Sequence, residues 1–121
     1  MTTIQTGSTV HRGDIILVLF PNSDLTTAKK RPALVVQADN LQTGLSQIVV
    51  AMITSRLFRA NHPSRVLITV ATDNGQQSGL LTDSVIMTDN LATILLSSID
   101  KVIGQIPTES INQALRHTLG I

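Results

Sequence analysis

Three polar residues stand at the ends of short apolar runs, where their side chains could act on a phosphate group. Arg31 opens the run RPALVVQ, Thr54 closes QIVVAMIT, and Asp89 follows SVIMT. A guanidinium presents a planar set of donors that fits phosphate oxygens, and a hydroxyl at a strand end can hydrogen-bond a phosphate or cap the next turn. A carboxylate can accept a proton, although a neighbouring arginine lowers its pKa and weakens it as a base.

Each of these residues also has an ordinary structural explanation. Arg31 precedes a proline at a strand end and could form a salt bridge with a residue such as Asp24. Thr54 could cap the turn at 55–58, and Asp89 could be a solvated loop residue. The residue types and their spacing leave both explanations open at all three positions.

Further polar residues bracket this candidate site. The basic ones lie in two predicted loops, at 22–30 and 55–63, and a serine adds a hydroxyl next to Thr54. The set comprises Lys29, Lys30, Ser55, Arg56 and Arg59. Such a group forms a local phosphate-binding patch or is simply a solvated surface, which is where most charged side chains lie.

Composition limits what the site can be. The net charge is only +1, so no global basic field attracts duplex DNA, and any nucleic-acid site has to be local. Phe20 and Phe58 are the only aromatic residues in the sequence. The core is therefore expected to be aliphatic, and the low aromatic count argues against a site that stacks bases on aromatic rings.

The sequence lacks the common metal, thiol and cofactor signatures. It has no cysteine, and His11, His62 and His117 do not have metal-ligand spacing. Ser84 follows Asp83 but lacks a G-x-S-x-G elbow, and there is no P-loop or dinucleotide-binding glycine pattern. We therefore expect no metal and no cofactor.

Hydrophobic periodicity predicts a mainly β fold that ends in a helix. The predicted strands are 14–20, 31–37, 47–54, 65–71, 84–88 and 98–106, with loops at 22–30 and 39–46, a turn at 73–75 and a helix at 108–119. Short strands without intervening helices indicate an antiparallel barrel or twisted sheet. We expect one domain, residues 1–121, in which 1–11 form a loose lead-in.

The first ten residues are polar, and no apolar run approaches the roughly 20 residues that a membrane span requires. We expect a cytoplasmic protein without a membrane partner.

An ordered set of short motifs then resembles the MazF/PemK family of toxins, over roughly residues 11–121. The motifs are HRGDI at 11–15, FP at 20–21, SDL at 23–25, KRPALVV at 30–36, ITS at 53–55, SGL at 78–80, DSV at 83–85, Asp89, and IG at 103–104 before the C-terminal helix. No single motif is diagnostic, but their order along the chain is fairly specific.

The resemblance implies an SH3-like small β-barrel of the MazF/CcdB type that forms a homodimer. It also implies a type II toxin that cleaves single-stranded RNA, including mRNA, without a metal, inhibits translation and growth, and is neutralised by a cognate antitoxin. Carried over residue by residue, it makes Arg31 catalytic, places Thr54 beside it, and makes Asp89 the general base. The local patch would then bind RNA.

One departure from the family pattern keeps an alternative open. Many members follow the acidic residue with a glutamine and then a basic residue before a threonine, whereas this chain reads NLAT at 90–93. The basic residue is replaced by Ala92. This favours a non-catalytic relative of the same fold, which binds a protein target as gyrase poisons do, or binds only its antitoxin.

Overall fold

Six strands form one antiparallel sheet in the computed structural model, which describes residues 10–21 and 28–121. The strands are β1 (Asp14–Pro21), β2 (Ala28–Val35), β3 (Gln47–Thr54), β4 (Arg65–Ile68), β5 (Ser84–Leu95) and β6 (Ile99–Gln105). Their order across the sheet is β4-β5-β3-β2-β1-β6. Two α-helices, α1 (Asp73–Ser78) and α2 (Glu109–Leu119), and two short 3-10 helices, Leu57–Ala60 and Leu96–Ser98, complete the described elements.

The prediction of a mainly β fold with a C-terminal helix is confirmed. Within residues 10–21 and 28–121 the edge strands β4 and β6 are not hydrogen-bonded to each other, so the sheet is open and not a closed barrel. No helix in the described part of the chain is long and apolar enough to cross a membrane.

The core is aliphatic, as predicted, and it lies on both faces of the sheet. One cluster contains Ile15 and Leu34 and is covered by α2, while the other contains Ile16 and Val35. Because successive side chains of a strand point to opposite faces, most of β1 and the second half of β2 are buried on both sides. This explains why their sequences are nearly continuous apolar runs instead of alternating ones.

Two strands are longer than the sequence predicted, and both differences affect the candidate site. β2 begins at Ala28, so Lys29 and Lys30 belong to a strand and not to a loop; they pair with Phe20 and Leu19 of β1. β5 continues to Leu95, so Asp89 lies inside a strand and not after it. In both places pairing with a neighbouring strand extends the element through polar residues that local patterns assigned to loops.

The predicted turn at 73–75 is wrong, because α1 begins there. The Thr72 hydroxyl accepts a hydrogen bond from the backbone N–H of Gly75 at 3.0 Å and caps the helix. β4 ends at Ile68, three residues earlier than predicted, and the chain then turns into α1.

Part of the sequence lies outside the described residues. Residues 1–9 and 22–27 belong to it, and with them most of the predicted lead-in and the SDL motif at 23–25. Val10, the first described residue, is only 6% exposed and packs in the second core cluster.

Glycines allow α1 and the segment after it to lie directly against β6. A Cβ atom on Gly79 would lie 2.0 Å from the carbonyl oxygen of Ile103, and one on Gly104 would lie 2.3 Å from that of Gln77. Gly79 also has a φ of +72°, which L side chains rarely adopt. This backbone-to-backbone contact fixes where residues 79–82 run.

Replacing Gly79 by alanine tests this contact, with Gly44→Ala as the matched control. Gly44 has a similar φ of +77° but nothing within 4 Å of its Cβ position. Both variants carry the conformational cost of about 1–2 kcal/mol, and Gly79→Ala should lose about 1–3 kcal/mol more through the clash with β6. Urea unfolding measures the difference; equal losses would contradict the packing of Gly79 on β6.

Candidate functional site

The register of the sheet brings Arg31 and Thr54 together. Pairing between β2 and β3 runs from Val35 opposite Val50 to Ala33 opposite Met52. Continuing this antiparallel register by two residues on each strand places Arg31 opposite Thr54. The observed pairing stops at Ala33 and Met52, so Arg31 and Thr54 lie two residues beyond it on adjacent strands, at the same end of the sheet.

Both residues line a cleft of about 710 Å³ at this end of the sheet. The lining includes residues 29–32 of β2, and residues 53–56 at the end of β3 and just after it. β1 contributes Leu17, and β6 contributes Lys101 and Ile103. The segment that follows α1 contributes residues 79–82, together with Ser84 at the start of β5. The structure therefore brings together Lys29, Lys30, Arg31, Thr54, Ser55 and Arg56 of the residues selected from the sequence.

The charged residues among the described lining of the cleft are all cationic. Five cationic residues contribute to it, namely Lys29, Lys30, Arg31, Arg56 and Lys101, and none of the described lining residues is a carboxylate or a histidine. Lys30 is partly neutralised, because its Nζ lies 3.1 Å from Oδ2 of Asp100. A protein with a net charge of +1 thus concentrates its positive charge in one place, as an anion-binding site requires.

The structure shows one of the two functions that the sequence position of Thr54 suggested. Its Oγ1 accepts a hydrogen bond from the backbone N–H of Arg56 at 3.2 Å, so the prediction that it caps the following turn is confirmed. A hydroxyl that accepts in this way still has its own hydrogen to donate. The Arg31 guanidinium, which lines the same cleft, forms no ion pair with any described carboxylate.

Asp89 is not in this cleft, and its predicted position near Arg31 is wrong. Its carboxylate accepts hydrogen bonds from Arg65 of β4, with 2.9 Å from Nε to Oδ1 and 2.7 Å from Nη2 to Oδ2. This hydrogen bonding lowers the pKa of Asp89 below its ordinary value and holds the carboxylate ionised.

An irregularity of β5 explains this placement. Met52 of β3 lies opposite Met87, but its neighbour Ala51 lies opposite Leu91. Residues 88–90 are therefore extra on β5 and do not pair with β3, as in a β-bulge. The bulge carries Asp89 toward β4, where Arg65 is the nearest cation.

Arg59 and His11 also lie outside the cleft lining. The Arg59 guanidinium carbon is 5.7 Å from the centroid of the Phe58 ring, and its backbone carbonyl accepts from Arg65. The backbone N–H of His11 donates to Asp14 at 2.8 Å. Arg59, predicted to bind RNA, thus takes part in the structure around β4 and β5.

Lys101 is the lining cation that sequence reasoning missed. It lies opposite Leu17 on β1, which in turn lies opposite Pro32 on β2. Only this pairing across the sheet brings Lys101 to the cleft. Its own surroundings in sequence, an isolated basic residue on a predicted strand, contain no signal that would have found it.

Position 92, where many family members have a basic residue, does not line this cleft. Ala92 pairs with Val50 and is half-buried against the second core cluster. The departure from the family pattern therefore falls on a packing position. Among the described residues, no three histidine, aspartate or glutamate side chains cluster so that they could hold a metal ion.

The same fold occurs in solved structures. A mycobacterial endoribonuclease is 21% identical, with a TM-score of 0.68 over 93% of this chain and 92% of its own. A mycobacterial endoribonuclease in complex with its cognate antitoxin is 18% identical, with a TM-score of 0.70 over 93% and 97%. A chain of the MazE–MazF complex from Deinococcus radiodurans is 17% identical, with a TM-score of 0.68 over 93% and 96%.

The sheet and the cleft define a small, mainly β protein with a cationic cleft at the end of its central strands. The family model of PemK-like, MazF-like toxins of type II toxin–antitoxin systems matches residues 11–119, so the chain belongs to that family. The resemblance found in the sequence is thereby confirmed. No curated protein sequence matches the chain.

The Arg65–Asp89 pair makes stability depend on pH. Because the pKa of Asp89 is lowered in the folded protein, the pair contributes stability above the ordinary carboxylate pKa and loses it as the pH falls through the lower folded value. Asp89→Asn should therefore lower the Tm at pH 6, and this loss should shrink as the pH falls below the ordinary carboxylate pKa. Thermal unfolding across this range measures it. A deficit of Asp89→Asn that does not change with pH would contradict the pairing.

Proposed function

We propose that this toxin is a metal-independent endoribonuclease that cleaves single-stranded RNA, including mRNA, in the cationic cleft. The observation that carries the proposal is the meeting of Arg31 and Thr54 at a cleft whose described charged residues are all cationic. Solved structures of the same fold that are described as endoribonucleases support it.

The chemistry needs no cofactor, because the substrate supplies the nucleophile. The ribose 2′-oxygen attacks the adjacent phosphorus and gives its proton to solvent water, while the bond from phosphorus to the 5′-oxygen breaks and the 5′-oxygen takes a proton from water. Negative charge grows on the phosphate oxygens as the cyclic phosphate forms. Arg31 stabilises that charge, since a guanidinium is a strong, oriented donor to phosphate. The Thr54 hydroxyl donates to the same group and fixes its orientation.

Asp89 has no place in this mechanism. A base that accepts the 2′-OH proton must reach it directly or through one water, whereas Asp89 is paired with Arg65 and lies outside the cleft lining. We therefore assign roles only to Arg31 and Thr54. The RNA-binding role belongs to Lys29, Lys30, Ser55 and Arg56, all of which line the cleft.

The proposal includes two protein contacts. We infer a cognate antitoxin, because a mycobacterial relative was solved with its own and a MazE–MazF complex shares the fold. We also infer a homodimer, located in the cytoplasm. Exposed apolar side chains such as Phe58 and Leu67 are surfaces of the type that protein contacts cover.

Replacing Arg31 is the direct test of the mechanism. Arg31→Ala should reduce cleavage of a labelled single-stranded RNA in EDTA by about 10²-fold or more, the usual cost of losing a donor to a developing oxyanion. Arg31→Lys should recover only part of the activity, because an ammonium lacks the planar fork of donors. Arg116→Ala, which removes an exposed cation of α2 outside the cleft, is the matched control.

Full activity in Arg31→Ala would contradict the mechanism. If the wild-type protein cleaves no single-stranded sequence from a varied set, the non-catalytic alternative, which binds a protein target or only its antitoxin, is correct instead. An oligonucleotide of the same sequence with 2′-deoxy nucleotides throughout should resist cleavage, because it lacks the nucleophile.

A second pair of variants tests Thr54. Thr54→Val removes the hydroxyl and should lower kcat about tenfold, which corresponds to one hydrogen bond to a charged group. Thr54→Ser keeps both the donor and the cap on the N–H of Arg56, so it should retain most of the activity. Single-turnover cleavage measures both variants, and equal loss in the two would show that the hydroxyl is not what matters.

A further inference from the structure

Two residues that line the cleft, one charged and one apolar, have no role in the proposed chemistry. Lys101 comes from β6, and Leu81 comes from the segment after α1. We propose that these two residues form a nucleotide subsite, in which Lys101 binds a phosphate next to the one that is cleaved and Leu81 packs against a base. This inference rests on the proposed function, since it assumes that the ligand is RNA.

The position of Lys101 separates it from Arg31. Pro32, the neighbour of Arg31 on β2, lies opposite Leu17, and Leu17 lies opposite Lys101. Lys101 is thus two strands from β2, about 10 Å between backbones. At that separation Lys101 can contact a phosphate of the same extended chain other than the one that Arg31 holds.

The charge of Lys101 is available to a ligand. Asp100, the adjacent acidic residue, is engaged by Lys30 at 3.1 Å. No ion pair joins Lys101 to a carboxylate of residues 10–21 or 28–121. Its ammonium is exposed and lines the cleft, so it can neutralise a phosphate without first breaking an ion pair to a described residue.

The contact between Gly79 and Ile103 holds the segment that carries Leu81 against β6, the strand that carries Lys101. Each of the two residues lies two positions from this contact along its own segment, and both line the cleft. Leu80 packs on the first core cluster, whereas Leu81 is 95% exposed, more than any other large apolar residue in the described part of the chain.

An exposed leucine alone does not mark a site, but this one lies in a cleft lined by five cations. Such surroundings favour a ligand that combines negative charge with flat apolar faces, as single-stranded RNA does. Neither Phe20 nor Phe58 lines the cleft, so an aliphatic side chain has to make the contact with a base. An apolar protein surface would gain little from the five cations, which makes a protein the less suitable occupant.

Salt-dependent binding tests Lys101. The probe is a labelled single-stranded oligonucleotide with 2′-deoxy nucleotides throughout, which is not cleaved, and fluorescence anisotropy gives its affinity at several salt concentrations. Lys101→Gln should weaken binding of all sequences similarly and reduce the slope of log K against log salt by about 0.7, as expected for one lost phosphate contact. Arg116→Gln, outside the cleft, should leave the slope unchanged.

Abasic substitution tests Leu81. An abasic nucleotide moved along the same oligonucleotide should weaken wild-type binding at one position by about fivefold, for the partial burial of one leucine side chain. Leu81→Ser should bind the intact probe as weakly as the wild-type protein binds the abasic probe. The abasic nucleotide at that position should cause no further loss in this variant, and its salt slope should equal that of the wild type. Leu95→Ser, which changes a 60% exposed leucine outside the cleft, is the control.

The outcomes separate this inference from the proposed function. If wild-type protein neither binds nor cleaves single-stranded RNA, the proposed function fails. If it does both while Lys101→Gln keeps the full salt slope, or Leu81→Ser keeps the abasic effect, only the subsite is overturned. A change in oligomeric mass by sedimentation in Leu81→Ser, with unchanged affinity for the probe, would overturn it in favour of a protein contact.

Discussion

The register of β2 against β3 is the constraint on which the site depends. Leu34 opposite Ala51 lies in one core cluster, and Val35 opposite Val50 lies in the other. A slip of one residue would move each of these buried side chains to the wrong face. Apolar packing inside the sheet therefore determines that Arg31 meets Thr54 at its end, although neither residue belongs to the core.

A second contact completes the cleft from another part of the chain. Gly79 lies against Ile103 of β6 without room for a side chain, and β6 is joined through β1 to β2. The segment after α1 is therefore held in a fixed position relative to the central strands. This arrangement matters for chemistry, because catalysis by oriented donors requires that they be in place before the substrate binds.

The same arrangement has an electrostatic cost that a ligand can remove. Five cations close together repel one another, and among the described residues only Asp100 pairs with any of them. Asp89 could have relieved this repulsion, but the bulge of β5 directs it to Arg65. An anionic ligand supplies the missing negative charge, so its binding stabilises the folded protein as well as forming the complex.

The sequence alone determined the mainly β fold, the aliphatic core, the final helix and the candidate pair Arg31 and Thr54, because these follow from local periodicity and from motifs in a fixed order. Only the tertiary structure decided that Asp89 pairs with Arg65 and that Lys101 joins the cleft. Partners across a sheet are chosen by register and bulges, which depend on how distant segments pack together. The sequence around Asp89 or Lys101 alone therefore does not indicate these partners.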